Sequence, residues 1–169
     1  MKLVFRQKKS GQNNKINTIN WSEDMRENKF RVWCKNKKEW EKYMCFINQN
    51  GGLLQINKKY STLIPCSNKN HIVEFYSGLN DHHGKFIFAG DILRCQHIET
   101  KDIEIVAVKD SPGQFSVYDP NCCDKCKKGD GCISYLSDWV YFPTQWSVIK
   151  IGNIHENPEI VTGYKRGGK

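Results

Sequence analysis

The sequence predicts a mostly β protein, a small barrel or sandwich built from short antiparallel strands. Three observations carry that class. Short segments alternate polar and apolar residues at the strand period of two. Turn signals rich in Gly, Asn and Pro separate those segments at close intervals. No heptad pattern or internal repeat competes with a globular reading.

The elements follow in order. Residues 1–24 hold Gln, Asn, Ser, Gly and Lys with little apolar periodicity, and they read as a flexible basic leader. Lys29-Phe-Arg-Val-Trp-Cys34 alternates and predicts a strand, and residues 35–38 (Asn and Lys only) predict the turn after it. Residues 40–47 read as the returning strand of a hairpin, although Trp40-Glu-Lys-Tyr-Met-Cys-Phe-Ile also fits a short amphipathic helix. Asn48-Gln-Asn-Gly-Gly52 is a turn. Strands are expected at 53–56 and 72–76, with a polar loop around Pro65 between them. Further strands are expected at 85–89, 92–95, 103–109, 114–118, 133–136 and 146–155, with turns at 80–84, 90–91 and 111–113. Gly152 inside a strand pattern predicts a bulge or a close backbone approach, and Asn157-Pro158 an extended exit.

At 169 residues the chain suits one ordinary domain or two small β modules. No apolar run approaches the ~18 residues that span a bilayer. The start lacks the apolar stretch of a signal peptide, so the expectation is a cytoplasmic protein with reduced thiols. The net charge is +8, but residues 1–60 carry +9 and the remainder −1. Such asymmetry makes an acidic partner plausible, whether nucleic acid or an acidic protein face, but the preferred reading is a solvated lysine-rich surface.

No nucleophile elbow or phosphate loop is present. The Asp81-His82-His83 and Asp91 stretch is the densest group of acid–base residues, and it reads as a polar turn, since adjacent histidines point apart on extended backbone. For nucleic acid the best surface is Arg26, Lys29 and Arg31 with Trp33 interleaved, where an exposed Trp beside cations would stack on bases. Cys34, Cys45 and Cys95 sit in apolar contexts and read as small core residues or thiols at strand ends. The segment from Cys122 to Cys132 is different. Cys123 and Cys126 form a C-x-x-C pair, Cys132 follows across Gly129 and Gly131, and Cys122 is a candidate fourth ligand for a structural zinc. A second C-x-x-C or His pair at ribbon spacing is missing, so a reduced cysteine-rich hairpin loop, or a redox pair formed only under oxidation, is the alternative.

Three ordered blocks resemble the YopX family of phage and prophage proteins. They are Met25-Arg-Glu-Asn-Lys-Phe-Arg-Val-Trp33, the stretch from Tyr76 to Ile92 (YSGLNDHHGKFIFAGDI), and Ile151-Gly-Asn-Ile-His-Glu-Asn-Pro-Glu159. Together they bracket residues 25–161. The resemblance implies an N-terminal β subdomain able to mediate association and a C-terminal SH3-like barrel, and it implies no assigned activity. The expected organisation is therefore a leader over 1–24, an N-terminal subdomain over 25–75, a barrel over 76–161 and a tail over 162–169. The leader and the 122–132 segment depart from the family pattern. The functional expectation is a homo-oligomeric module that binds a host or phage macromolecule in the cytoplasm, with no membrane association. Nucleic-acid binding is the alternative, and an enzyme with an unrecognised site comes third.

Overall fold

The computed structural model describes residues 29–57, 59–60, 62–67, 69–111, 114–119, 133–141 and 144–163. The leader, Arg26, and Cys122, Cys123, Cys126 and Cys132 lie outside them, as does most of the expected tail. The class is as expected: mostly β, in curled antiparallel sheets.

A four-stranded sheet opens the fold, in the order β2-β1-β6-β7. Strand β1 (Phe30–Cys34) turns through residues 35–38 into β2 (Glu39–Trp40), with Trp33 opposite Trp40. Here the expectation for 40–47 needs correcting. Those residues form neither one strand nor a helix: the chain leaves the first sheet after Trp40, and β3 (Cys45–Ile47) starts a different one. That second sheet, ordered β3-β4-β5, adds β4 (Leu53–Asn57) and β5 (Thr62–Pro65). Strand β5 lies where a polar loop was expected. Pro65 is tolerated because it ends an edge strand, where no ladder amide is needed.

Strand β6 (His71–Asn80) is ten residues long and runs straight through the expected boundary at 75/76. It pairs with β1 in its first half and with β7 (Phe86–Phe88) beyond. The rest is a curled five-stranded sheet, a half-barrel, ordered β11-β10-β9-β8-β12. Its strands are β8 (Asp91–His97), β9 (Ile103–Ser111), β10 (Gln114–Tyr118), β11 (Ile133–Tyr135) and β12 (Trp146–Asn153). Its concave face holds the main core: Ile87, Leu93, Cys95, Val106, Val108, Val117, Leu136 and Val148. Helix α1 (Leu136–Val140) replaces the end of the expected 133–136 strand. No side chain caps its start; burial of Leu136 holds it, with Trp139 and Val140 packed at the rim. After β12 a short helix α2 (Pro158–Gly163) follows, where an extended exit was expected.

Glycine chemistry is legible in place. Gly90 sits at φ +77°, a conformation that any residue with a Cβ resists. The β8–β12 ladder slips between Lys150 and Gly152, and a Cβ on Gly152 would lie 2.8 Å from the Asn157 Oδ1. Both the bulge and the close approach are therefore real.

Candidate functional site

Two features stand out: a buried charged junction joining the first sheet to the half-barrel, and an apolar face on the second sheet.

The junction gathers residues that are far apart in the chain. Asp91 is 0% exposed at the start of β8, and Glu74 is 2% exposed in the middle of β6. Arg31 on β1 spans them. Its Nε and Nη2 donate to Glu74 Oε2 at 2.9 and 2.7 Å, and Nη2 also pairs with Asp91 Oδ1. The other Asp91 oxygen accepts from the Phe88 amide at 2.9 Å and from Lys150 Nζ at 3.0 Å. Asn153, also buried, donates Nδ2 to Glu74 Oε2 at 3.1 Å, and His155 Nε2 lies 3.1 Å from Glu74 Oε1. Aromatic rings wall the guanidinium, with Trp40 at 4.2 Å and Phe88 at 4.7 Å. Two carboxylates meet two fixed cations, and no buried side-chain polar atom among the described residues lacks a partner. An internal arrangement so complete in charge and hydrogen bonding is a clamp between the first sheet and the half-barrel.

The three sequence blocks meet here. Arg31 comes from the first, Asp91 from the second, and Asn153 and His155 from the third. Glu74 and Lys150 complete the clamp and escaped the sequence reading. The only signal for Glu74 was a carboxylate in the apolar run Ile72-Val-Glu-Phe-Tyr76.

The residues expected to face nucleic acid are placed as follows. Trp33 is 6% exposed, stacked on His155 at 5.6 Å and edge-on to Trp40 at 5.1 Å. Arg31 is committed to Glu74 and Asp91. Lys29 lies over the Phe86 ring at 3.9 Å. The exposed Trp that base stacking required is therefore an interior residue.

The Asp81 turn is structural. Asp81 Oδ1 accepts from the His83 and Lys85 amides at 2.9 Å each, and Oδ2 accepts from the Lys150 amide at 3.0 Å. His82 accepts at Nδ1 from the Val148 amide at 2.8 Å. Burial alone would raise the Asp81 pKa, but these three amides outweigh it and hold the carboxyl below its ordinary range. The turn thus staples the β6–β7 connection to β12.

The second sheet presents a different chemistry. Its register sets Phe46 against Leu54 and Leu54 against Pro65, and Ile56 against Leu63. The Ile56 amide donates to the Met44 carbonyl, extending the ladder by one residue. Since side chains alternate, Met44, Phe46, Leu54, Ile56, Leu63 and Pro65 share one face. All six are apolar. Met44 is 65% exposed, Leu63 54% and Phe46 39%. The opposite face carries Leu53, which is buried, and Gln55, which bonds Glu41. Ile47, Cys45 and Ile64 share that mixed face with them, whereas the row from Met44 to Pro65 is wholly apolar and partly open to solvent. Sequence reasoning missed this face because β5 was not recognised as a strand.

Among the described residues, one group of metal-ligating side chains converges: Cys34, Glu41 and His71. No described helix is long and apolar enough to cross a membrane.

Comparison with known proteins places this architecture. The family model described as YopX protein matches residues 29–162. Among solved structures, protein yopX from Bacillus subtilis superposes with a TM-score of 0.51 at 22% identity, covering 77% of this chain and 94% of its own. Protein EF1440 from Enterococcus faecalis gives a TM-score of 0.47 at 22% identity, covering 79% of this chain and 96% of its own. The first likeness shows the shared fold. A search of curated proteins finds no match.

Proposed function

The chain belongs to the YopX protein family over residues 29–162, and we propose that it is a phage or prophage accessory protein that works by association, through the apolar face of its second sheet. The observation that carries this reading is the contiguous row of Met44, Phe46, Leu54, Ile56, Leu63 and Pro65 on an open three-stranded sheet. Monomeric proteins seldom leave such a row in water.

The occupant is a second copy of the chain. Two such faces meeting back to back would cover twelve partly exposed apolar side chains. At about 1.5–3 kcal/mol for complete burial of each, partial burial contributes on the order of 10–15 kcal/mol. Association costs of about 4–15 kcal/mol oppose it, so the surplus fits a reversible dimer whose population follows concentration. Nucleic-acid binding at Arg26, Lys29, Arg31 and Trp33 has less support, because Arg31 is bound into the clamp and Trp33 is buried against His155 and Trp40. The working compartment in this reading is the cytoplasm of a bacterial host.

Sedimentation equilibrium of the full chain across a hundredfold concentration range tests this. Self-association is expected, with Phe46→Lys and Leu63→Lys each weakening it at least tenfold and Tyr141→Lys, an exposed position outside this sheet, leaving it unchanged. A wild-type chain that stays monomeric throughout, or a dimer indifferent to both substitutions, overturns the proposal.

A further inference from the structure

We propose that Cys34, Glu41 and His71 form a zinc site with three protein ligands, distinct from the cysteine-rich 122–132 segment. The side chains come from three places that only the fold unites: the end of β1, the residue after β2, and the start of β6. Cys34 and His71 are direct partners in the β1–β6 ladder, so their side chains stand on one face. The Glu41 amide donates to the Val32 carbonyl, which continues the β1–β2 register and turns Glu41 to that same face. The three ligand atoms all lie within 4.8 Å of one another.

Distances and hydrogen bonding fit a tetrahedral ion. His71 Nε2 stands 3.4 Å from Glu41 Oε1. Two ligands bound at about 2.0–2.1 Å in a tetrahedron are about 3.3 Å apart. His71 Nδ1 lies 3.0 Å from the Ser67 carbonyl, which can only accept, so Nδ1 carries the hydrogen. With Nδ1 protonated, the metal-binding tautomer presents its Nε2 lone pair toward the Glu41 oxygen. A metal ion between them satisfies both acceptors, and a Cys34 thiolate makes a third donor for it. The carbonyl contact is the outer bond that orients a metal-bound histidine. Gln55 Nε2 donates to Glu41 Oε2 at 3.3 Å, leaving Oε1 toward His71.

Glu41 is a carboxylate anion at neutral pH, as an ordinary Glu is. Thiolate, imidazole and carboxylate together suit a borderline ion such as Zn2+. Binding releases the Cys34 thiol proton to solvent, and water completes the fourth position. Lys37 Nζ, 3.2 Å from Glu41 Oε1 on a half-exposed side chain, is the cation that the metal displaces.

Cobalt(II) titration of the reduced, demetallated full chain is the test, read by the thiolate-to-cobalt band and the visible bands of a tetrahedral site. One equivalent should bind in the variant with Cys122, Cys123, Cys126 and Cys132 all changed to Ser. Should that variant misfold by circular dichroism, the intact chain serves, and Cys34→Ser or His71→Gln should lower its stoichiometry by one. Glu41→Gln should weaken cobalt at least tenfold, and Lys37→Ala should tighten it. Cobalt uptake unchanged in both Cys34→Ser and His71→Gln, uptake that disappears only with the four loop cysteines, or no uptake at all overturns the proposal.

Discussion

Replacing Arg31 with Met removes the one cation that holds Glu74 and Asp91 together while keeping most of the side chain's apolar bulk. In the native clamp that guanidinium makes paired contacts with Glu74 and a third with Asp91, under the rings of Trp40 and Phe88. After the change, Lys150 is the one fixed cation the clamp keeps for the two buried carboxylates, which retain the Phe88 amide, Asn153 and His155 as neighbours. Breaking a buried pair from one side costs about 3–5 kcal/mol, because the remaining charge stays out of water. At roughly 2–4 °C per kcal/mol for a chain of this length, Tm should fall by about 6–20 °C. The double variant Arg31→Met/Glu74→Gln should lose less than the two single losses combined, since the second change removes the stranded charge. Urea unfolding followed by tryptophan fluorescence suits the assay, because Trp33 and Trp40 flank the clamp. A loss for Arg31→Met below about 1 kcal/mol, the range of exposed ion pairs, would refute the reasoning. Arg31 would then be a surface cation, and its availability to phosphates would return.

Three further expectations are independent of that one. Gly90→Ala should destabilise more than Gly78→Ala in thermal melts: both positions have positive φ, but a Cβ at Gly90 would fall on the Glu74 carboxylate, whereas at Gly78 it meets nothing within 4 Å. Asp81→Asn should lower stability at neutral pH, with the gap to wild type closing in acid. The Asp81 pKa is depressed in the folded state, so its stabilisation is complete above the ordinary Asp value of about 3.9 and is lost as pH falls through the folded value. Cys95, fully buried with its thiol pushed up to about 12 by burial and secondarily by Glu104, should resist a thiol reagent at pH 8 until the chain unfolds; reaction as fast as that of an exposed thiol would contradict this core assignment.

The sequence by itself determined what near neighbours decide. The hairpin turn at 35–38, the left-handed glycines at 84 and 90, the bulge at Gly152 and the alternation of most strands all depend on residues a few positions apart. The family blocks, too, were legible as text. Tertiary structure decided everything that depends on which segments pair. Strand β3 left its apparent hairpin because its register partner is β4, and β5 exists only because β4 offers it an edge. Residues 136–140 became a helix because the half-barrel had room for Leu136, not because local signals favoured one. The clamp joins Arg31 to Asp91 across 60 positions and Asn153 to Glu74 across 79, while the Cys34 and His71 ligands meet only through the β1–β6 register. A residue's charge can be read from its letter, but whether that charge is solvated, paired or poised over a metal depends on the low-dielectric surroundings that distant strands supply.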